Sequence, residues 1–374
     1  MKIALIIFHF THSHGSLLQN YALYKTLKQM GHEVTIINDC VHTISFYHCV
    51  KRTMYNLLQR IKGKYEGIIY YRYSSPKYLM KNLNPFIEQN FSGDVYNFNN
   101  ENKLEEYCES SKFDAFVVGS DQTWRPKFVR NIYYYYLDFA EKLTNIKRVA
   151  YVPSLGTDDW EYTEEQSSRC RQLISLFDAV SVREKSSSDV LYKHFGIKAK
   201  WLLDPTFLLK KEDYEALIIE SDMPKRQISY SILDIDDKKR TFVDKIAERM
   251  SLEPVRINGR EEDANAPLKE RAAPSISKWL SGFRDADFVI ADSFHATVFA
   301  IIFNVPFLTI ANKRRGLARF ESLLSYFGLN DRLVTEIDNF DYSIINTPID
   351  WNTINEKARK KRLEGLTFLN ENLK

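Results

Sequence analysis

Short apolar runs alternate with amphipathic stretches along most of the chain, and this alternation predicts an α/β fold. Residues 2–8 form an apolar run of strand length, residues 17–30 place apolar side chains on one helical stripe, and residues 33–38 form a second run. Further strands are predicted at residues 113–118, 148–152, 178–182, 200–203, 228–233 and 254–257. Strands separated by helical segments favour parallel βαβ units over hairpins.

A strand–helix–strand unit at residues 287–310 carries a polar cluster where its first strand meets its helix. Asp292 and Ser293 are helix-capping residue types, and His295 falls in the predicted first helical turn. In parallel sheets this edge binds ligands, and helix N-termini there attract anions. The helix dipole opposes a proton on His295 unless an anion binds nearby, which suits an acid acting on an anionic substrate. A polar residue that satisfies a helix start is the alternative.

Polar residues follow other predicted strands and are candidates for the same edge. Residues 119–124 join a carboxylate, Asp121, to a tryptophan, a pairing typical of sugar binding, although a packed turn is the alternative. Arg183 follows another strand, and its guanidinium matches carboxylate or phosphate geometry unless it serves a salt bridge. The cations of residues 313–319 predict an anion clamp, with a solvated face as the alternative.

Composition narrows the classes of function. A chain of 374 residues with 44% hydrophobic content can bury two cores, and its net charge of +3 provides no general field for nucleic acid, so no nucleic-acid partner is expected. No segment reaches the ~20 apolar residues of a spanning helix, and no signal-peptide pattern opens the sequence. A soluble cytoplasmic protein is therefore expected. His9, His12 and His14 resemble a metal cluster, but the sequence fixes no ligand geometry, and no metal is expected.

Residues 51–81 differ from the rest of the chain in charge. They contain eight Lys or Arg residues, interleaved with aromatic side chains, and a single acid, Glu66. This pattern suits an anionic lipid surface and predicts peripheral contact at the inner face of the cytoplasmic membrane. A solvated helical insertion with a basic face is the alternative.

Several motifs occur in order along most of the chain. They are H-G-S-L-L-Q-N-Y-A-L (14–23), G-S-D-Q-T-W (119–124), S-V-R-E (181–184), L-D-P-T-F-L-L (203–209), the segment 279–303 with A-D-S-F-H-A, and K-R-R-G-L-A-R-F (313–320). The ordered set resembles the polysaccharide pyruvyl transferase family. Two positions depart from the family pattern: Phe294 stands where some members carry a basic residue, and Ala296 where many carry glycine.

The resemblance implies an α/β fold of two Rossmann-like domains facing across a cleft, similar to the two-domain B-type glycosyltransferases. Residues 1–209 would form the acceptor-side domain, with a basic aromatic helical insertion at about 45–105. Residues 210–345 would form the phosphoenolpyruvate-side domain, and residues 346–374 a C-terminal helix packing back on the first domain.

The resemblance also implies an activity: transfer of pyruvate from phosphoenolpyruvate to two hydroxyls of a sugar, forming a cyclic ketal, in capsular or exopolysaccharide biosynthesis. Phosphoenolpyruvate is then the donor substrate, no cofactor is needed, and the sugar acceptor is expected to be lipid-linked. A nucleotide-sugar glycosyltransferase of the same fold, or a non-catalytic sugar- or anion-binding protein, remains an alternative.

The resemblance assigns roles to particular residues of this sequence. The expected catalytic residues are His295, Arg183 and Asp121. Phosphoenolpyruvate would be bound by Arg183, Ser293, His295, Lys313, Arg314 and Arg319. The acceptor would be bound by Gly15, Asn20, Ser120, Asp121 and Trp124.

Overall fold

Two parallel sheets organise the chain in the computed structural model. The structure describes residues 1–40, 46–62, 76–219, 221, 223–224, 226–261, 263, 266–312 and 316–374. The first sheet contains β1 (Lys2–Ile6), β2 (Glu33–Asp39), β3 (Val95–Phe98), β4 (Ala115–Val118), β5 (Lys147–Ala150), β6 (Ala179–Val182) and β7 (Lys200–Trp201). The second contains β8 (Gln227–Ser231), β9 (Glu253–Arg256), β10 (Phe288–Ala291), β11 (Phe307–Ile310) and β12 (Leu333–Val334).

Helices connect and cover these strands. They are α1 (His14–Gln29), α2 (Phe46–Ile61), α3 (Pro76–Leu79), α4 (Asn84–Phe91), α5 (Glu101–Ser111), α6 (Glu164–Ile174), α7 (Lys185–Phe195), α8 (Lys211–Glu215), α9 (Asp237–Met250), α10 (Leu268–Arg271), α11 (Ile276–Arg284), α12 (Phe294–Phe303), α13 (Ala318–Phe327) and α14 (Trp351–Asn372). Short 3₁₀ turns occur at Gln122–Trp124, Pro126–Phe128, Tyr133–Tyr136, Asp138–Ala140, Pro205–Leu208, Asn330–Arg332 and Tyr342–Asn346. The α/β class expected from the alternation of apolar and amphipathic segments is confirmed.

The strand order creates a switch point in each sheet. The orders are β3-β2-β1-β4-β5-β6-β7 and β12-β11-β10-β8-β9, and every described pair is parallel. The chain reverses its direction of travel between β1 and β4, and again between β8 and β10. Ligands in open parallel sheets bind at the carboxyl ends of such strands. The loops after β1, β4, β8 and β10 are therefore the places to seek a site.

The unit predicted at residues 287–310 forms as strand, helix and strand. Every residue of β10 is fully buried, and almost all of α12 is buried as well. The helix ends at Asn304, whose positive φ of 59° gives the left-handed C-cap that asparagine tolerates. An apolar helix between two apolar strands therefore lies in the core that joins the two sheets.

The C-terminal helix α14 contacts both halves of the molecule. Arg362 donates from Nε to the carbonyl of Phe207 at 2.9 Å, on the first half. Tyr326 of α13, in the second half, donates its hydroxyl to the carbonyl of Lys357 at 3.0 Å. The helix thus ties the two sheets together. The domain boundaries expected from the sequence stay a prediction.

Candidate active site

Helices α1 and α12 meet between the two sheets, and their contact presses a glycine against a histidine. A Cβ atom added to Gly15 would lie 2.2 Å from the Cβ atom of His295 and 2.6 Å from its Nδ1 atom. Side chains do not approach one another so closely, so α1 can pass the histidine only because residue 15 has no side chain. This packing holds His295, which is 7% exposed, at the junction of the two sheets.

The imidazole of His295 faces two acceptors from the first half of the chain. Its Nε2 atom lies 3.2 Å from Oε1 of Gln19 and 3.5 Å from Oδ2 of Asp204. Asp204 is itself fixed, because Thr206 donates both its N–H and its hydroxyl to the other carboxylate oxygen. A carboxylate held in this way orients the imidazole and helps to decide which ring nitrogen carries a proton.

Arg183 is the centre of a buried ion-pair cluster. Its Nη1 atom donates to Oδ2 of Asp204 at 3.0 Å, and its Nε atom donates to Oε1 of Glu184 at 3.4 Å. The Nη2 atom lies 3.7 Å from Oδ1 of Asp121 and has no hydrogen-bond partner among the described residues. Burial lowers the pKa of Arg183, but the three carboxylates outweigh burial and raise it. The guanidinium is therefore charged and keeps one donor for a ligand.

Asp204 remains ionised in this cluster despite its burial. Burial raises the pKa of its carboxyl group, whereas the charges of His295 and Arg183 and the hydrogen bonds to the carboxylate lower it further than burial raises it. The carboxylate of Asp204 therefore pairs both with His295, the candidate acid, and with Arg183, the cation that is the candidate for binding an anionic ligand.

Asp121 is the most exposed acid of the cluster, with 17% of its side chain accessible. Its φ of 65° with ψ of −170° is a conformation that residues other than glycine rarely adopt. Burial raises the pKa of its carboxyl group, but the charges of Arg183, His295 and Arg319 lower it below its usual range. Strain and charge together place an ionised carboxylate at the accessible side of the cluster.

Phe294, which departs from the family pattern, lies close to two guanidinium groups. Its ring centroid is 4.6 Å from Cζ of Arg183 and 5.4 Å from Cζ of Arg319. At these cation–π distances the ring stabilises both guanidinium groups. Some family members carry a further basic residue at the position of Phe294. Burial and the charge of Arg183 lower the pKa of Arg319 to about 10, which leaves it charged at neutral pH. Lys313 and Arg314 lie outside the described residues.

Two members of the cluster, Gln19 and Asp204, were not expected from the sequence, whereas Glu184 was the salt-bridge partner for Arg183 in the alternative to ligand binding, and it forms that ion pair. Glu184 is fully buried and accepts from the hydroxyls of Ser154 and Ser187 at 2.5 and 3.0 Å. Asp204 follows β7 within the L-D-P-T-F-L-L motif, so the strand-end rule that selected Arg183 selects it too. Gln19 lies inside α1 and is linked to His295 across 276 positions, so no local pattern marks it.

The match to known proteins covers the elements that build this cluster. The family model for polysaccharide pyruvyl transferases matches residues 14–314, from the start of α1 to the segment after β11. The chain belongs to the polysaccharide pyruvyl transferase family. Membership implies a transferase, with a sugar acceptor and a pyruvate donor. No curated protein matches the sequence.

Solved structures similar to this pyruvyl transferase family member are enzymes of nucleotide sugars. The UDP-GlcNAc 2-epimerase of Methanocaldococcus jannaschii has a TM-score of 0.55 at 14% identity and covers 98% of this chain and 100% of its own. Arabidopsis thaliana UGT89C1, complexed with UDP-L-rhamnose, has a TM-score of 0.55 at 10% identity, with 98% of each chain covered. At such identities the likeness shows the fold alone. It confirms the expected arrangement of two Rossmann-like domains, as in B-type glycosyltransferases.

The residues expected to bind the acceptor are engaged within the fold. Asn20 donates its amide to the carbonyl of Phe8 at 3.3 Å, and Ser120 donates its hydroxyl to the carbonyl of Val152 at 2.9 Å. Trp124 is fully buried, donates its indole N–H to the carbonyl of Tyr135, and stacks on Tyr136 at 4.7 Å. It offers no surface to a sugar ring, so the packed-turn alternative describes this tryptophan. A ring that stacks on a sugar must come from elsewhere.

The capping residues of α12 have different surroundings. Asp292 is fully buried and accepts from the N–H of Leu233 at 2.7 Å and from Nζ of Lys239 at 2.8 Å, so it holds the loop after β8. Ser293 is the N-cap residue, but its side chain makes no capping hydrogen bond. Its hydroxyl faces a cavity at the cleft and stays a candidate ligand contact.

The three histidines near β1 make separate contacts. His9 stacks on Phe8, His12 lies 2.7 Å from a carboxylate oxygen of Glu261, and Nε2 of His14 lies 2.8 Å from the carbonyl of Pro274. Within the described ranges, no group of three or more His, Cys, Asp or Glu side chains could hold a metal ion.

Helix α2 displays apolar side chains to solvent. The exposed ones recur at helical spacing: Val50, Met54, Leu57, Leu58 and Ile61. Lys51, Arg60 and Lys62 are also exposed, and residues 46–62 contain no acid. The rest of the basic aromatic stretch, residues 63–75, lies outside the described residues. In the part of the chain that the structure describes, no helix has the length and apolarity to cross a membrane.

Proposed function

We propose that this protein transfers pyruvate from phosphoenolpyruvate to two hydroxyl groups of a sugar in a glycan precursor. The product is a cyclic ketal, and the precursor belongs to capsular or exopolysaccharide biosynthesis. Family membership supports transfer of pyruvate. The observation that carries the proposal is that Asp204 links the two halves: its carboxylate accepts from Arg183 at 3.0 Å and lies 3.5 Å from Nε2 of His295, and Arg183 in turn lies 3.7 Å from Asp121.

The charge of the cluster bears on how it binds the donor. Three carboxylates, Asp121, Glu184 and Asp204, surround two guanidinium groups, Arg183 and Arg319, so the described ionic groups sum to about one negative charge. Phosphoenolpyruvate brings a carboxylate and a phosphate. Its binding therefore requires further positive charge.

Two groups are proposed to supply this positive charge. His295 adds one charge when it takes up a proton, and the neighbouring carboxylate of Asp204 offsets it. The basic residues 313–315, which follow β11 in the sequence and lie outside the described residues, are proposed as the second source. In this proposal the anionic donor and the protonated imidazole stabilise each other.

The proposed reaction follows from these positions. His295 gives a proton to the methylene carbon of phosphoenolpyruvate, which creates an oxocarbenium-like centre at the next carbon. Asp121 accepts the proton of a sugar hydroxyl, whose oxygen forms a bond to that centre. The carbon–oxygen bond to phosphate breaks, and phosphate leaves with the proton that Asp121 holds. The second hydroxyl then closes the ring and gives its proton to the neutral His295, which restores the acid. Arg183 and Arg319 stabilise the charges of carboxylate and phosphate throughout.

The exposed face of α2 supports a membrane-bound acceptor. An apolar stripe bordered by Lys51, Arg60 and Lys62 has the form of a helix that lies in a lipid interface. We propose that it holds the enzyme at the inner face of the cytoplasmic membrane, where the acceptor sugar is lipid-linked. Each cation adds roughly 1 kcal/mol of attraction to an anionic surface.

Donor binding can be tested without knowing the acceptor. Calorimetric titration of phosphoenolpyruvate into the purified protein should give saturable binding, and Arg183→Met should weaken it by at least ~10-fold, the scale of one charge-assisted contact. Arg169→Met removes an exposed arginine paired with Glu141 and serves as the matched control, with unchanged binding. Absence of binding to the folded wild type at millimolar phosphoenolpyruvate would contradict the proposal.

A further inference from the structure

Arg271 is a buried cation without a counter-ion among the described residues. It is 7% exposed, and its Nε and Nη1 atoms have no hydrogen-bond partner there. Its Nη2 atom donates to the carbonyl of Glu261 at 2.9 Å, a neutral acceptor. Arg183 differs, because three carboxylates surround it. Burying a charge is costly unless an opposite charge pairs with it, and no described side chain supplies that charge, so Arg271 is able to pair with an anionic ligand.

The side chain of Arg271 lines a cavity in the cleft. The cavity measures about 130 Å³, and both halves of the chain contribute to its walls. Gly15, from the first half, lies in the wall, and the same glycine packs directly against His295. The cavity is thus next to the candidate acid and reaches it along the backbone of α1.

The start of α12 faces the same cavity. Ser293 lines the cavity, and its side chain makes no capping hydrogen bond to the helix. The first N–H groups of a helix have no partner within the helix. These groups and the helix dipole favour an anion at this end. An unpaired guanidinium and an uncapped helix N-terminus are two separate features that select for the same charge.

Other ionisable groups in the wall oppose an anion only weakly. Glu261 is the carboxylate among the described lining residues, and His12 lies 2.7 Å from it as an ion-pair partner. Burial lowers the pKa of His14 to about 4, so this imidazole is neutral at pH 7. The positive charge of Arg271 therefore faces the cavity without a competing partner.

We propose that this cavity binds a phosphate or diphosphate group of the acceptor, so that the acceptor is a sugar carried on a phosphate ester. The identification of the acceptor rests on the proposed pyruvyl transfer, which places the donor at Arg183 and Arg319.

Two variants test the cavity separately from catalysis. Inorganic pyrophosphate, titrated calorimetrically into the full chain, should bind, and Arg271→Met should weaken that binding by at least tenfold. Arg260→Met is the matched control, because Arg260 lies in the same region but pairs with Asp263 and Glu270; it should bind as the wild type does. Equal binding to all three proteins would overturn the proposal.

The melting temperature separates a binding role from a structural one. A buried guanidinium without a counter-ion destabilises the free protein, so Arg271→Met should melt at the same temperature as the wild type or higher. It should also lose the rise in melting temperature that pyrophosphate gives to the wild type. A lower melting temperature without ligand, together with an unchanged response to pyrophosphate, would show that Arg271 serves the fold alone. Arg271→Lys, which keeps the charge, should retain an intermediate response.

Competition distinguishes this site from the donor site. Saturating pyrophosphate should leave the dissociation constant of phosphoenolpyruvate unchanged. If that constant instead rises in proportion to the pyrophosphate concentration, the two ligands share one site and the inference is overturned. Pyrophosphate binding through Arg271 without any phosphoenolpyruvate binding would contradict the proposed function and leave the anion cavity intact. Uridine diphosphate and geranyl diphosphate then distinguish a nucleotide carrier of the acceptor sugar from a lipid carrier. The carrier is identified by the ester that binds more tightly to the wild type and loses affinity in Arg271→Met. If neither ester depends on Arg271 while pyrophosphate does, the assignment to the acceptor is overturned.

Discussion

The ionic cluster around Arg183 and the outer face of α2 reverse the usual distribution of side chains in opposite ways. The cluster buries a guanidinium, two carboxylates and an imidazole between the two sheets, and a third carboxylate, Asp121, is partly exposed. Helix α2 instead exposes a row of aliphatic side chains, with Ile61 at 74%. The strands of both sheets show the ordinary pattern, with apolar side chains mostly buried.

The difference between these regions lies in what each lacks. Buried charges require partners, and in the cluster Nη2 of Arg183 and Nε2 of Gln19 still have none among the described residues. An exposed apolar row requires an apolar surface. The first region is thus suited to a small anionic ligand and the second to an apolar surface, which the proposed function identifies with the donor and with the membrane.

The largest expected effect comes from removing the candidate acid. His295→Ala should reduce turnover by ~100-fold or more, the usual scale for a positioned proton donor. The melting temperature should change little, because Gln19 and Asp204 keep other partners. His32→Ala is the matched control, since His32 precedes β2 at the opposite edge of the sheet. Retention of activity per folded molecule would reduce His295 to a packing residue.

A methyl group at position 15 should misplace that acid without removing it. Gly15→Ala puts a Cβ atom against His295, so α1 and α12 must move apart. We expect a loss of about 1–3 kcal/mol in stability from overpacking and a fall in turnover of at least ~10-fold from the altered geometry. Ser16→Ala changes the next residue of α1, whose hydroxyl has no partner among the described residues, and should be nearly neutral. Full activity of Gly15→Ala would disprove the close contact.

The second region can be altered without touching the first. Replacing Leu57, Leu58 and Ile61 with glutamine should lower sedimentation with anionic liposomes at least ~10-fold, because each buried aliphatic side chain contributes about 1.5–3 kcal/mol. Turnover on a water-soluble acceptor should not change. Ile219→Gln with Leu363→Gln, two exposed aliphatic residues outside α2, controls for surface apolarity. If the wild type does not sediment with anionic liposomes at low salt, α2 faces water, and the contrast drawn between the two regions is disproved.

The smallest expected effect concerns acidity. Burial lowers the pKa of His14 from 6.5 to about 4. Between these values the unfolded chain binds a proton that the folded chain does not, so stability falls as pH drops from 6.5 to 4, by about 3 kcal/mol. This corresponds to roughly 4 °C for a chain of this length. His14→Gln should lose less melting temperature than the wild type over that interval; equal losses would show that His14 does not contribute.

Much of the fold follows from local sequence patterns. The apolar runs at β1 and β10 were predicted and form as expected. β3 was not predicted, because its four residues form a half-exposed edge strand without a clear apolar run. Helix α1 begins at His14, three residues earlier than expected, because the hydroxyl of Ser13 accepts from the N–H of Ser16.

The site was less predictable than the fold because it depends on packing between distant elements. Strand ends and the family motifs selected Asp121, Arg183 and His295, and the structure brings their side chains together. Gln19, inside α1, is recognised only when α1 and α12 are in contact, and nothing local marks it. Asp204 stands at a strand end like the selected residues, but its contact with His295 depends on the same packing.

The central claim, pyruvyl transfer from phosphoenolpyruvate, is tested most directly by following both products of the reaction. The purified protein should be incubated with phosphoenolpyruvate and lipid-linked or nucleotide-linked sugars, and released phosphate and the acceptor mass should be measured together. The account predicts one phosphate released for each pyruvate ketal formed, and neither product with His295→Ala. Release of a nucleoside diphosphate from a sugar nucleotide, without phosphate from phosphoenolpyruvate, would contradict it and show a glycosyltransferase instead.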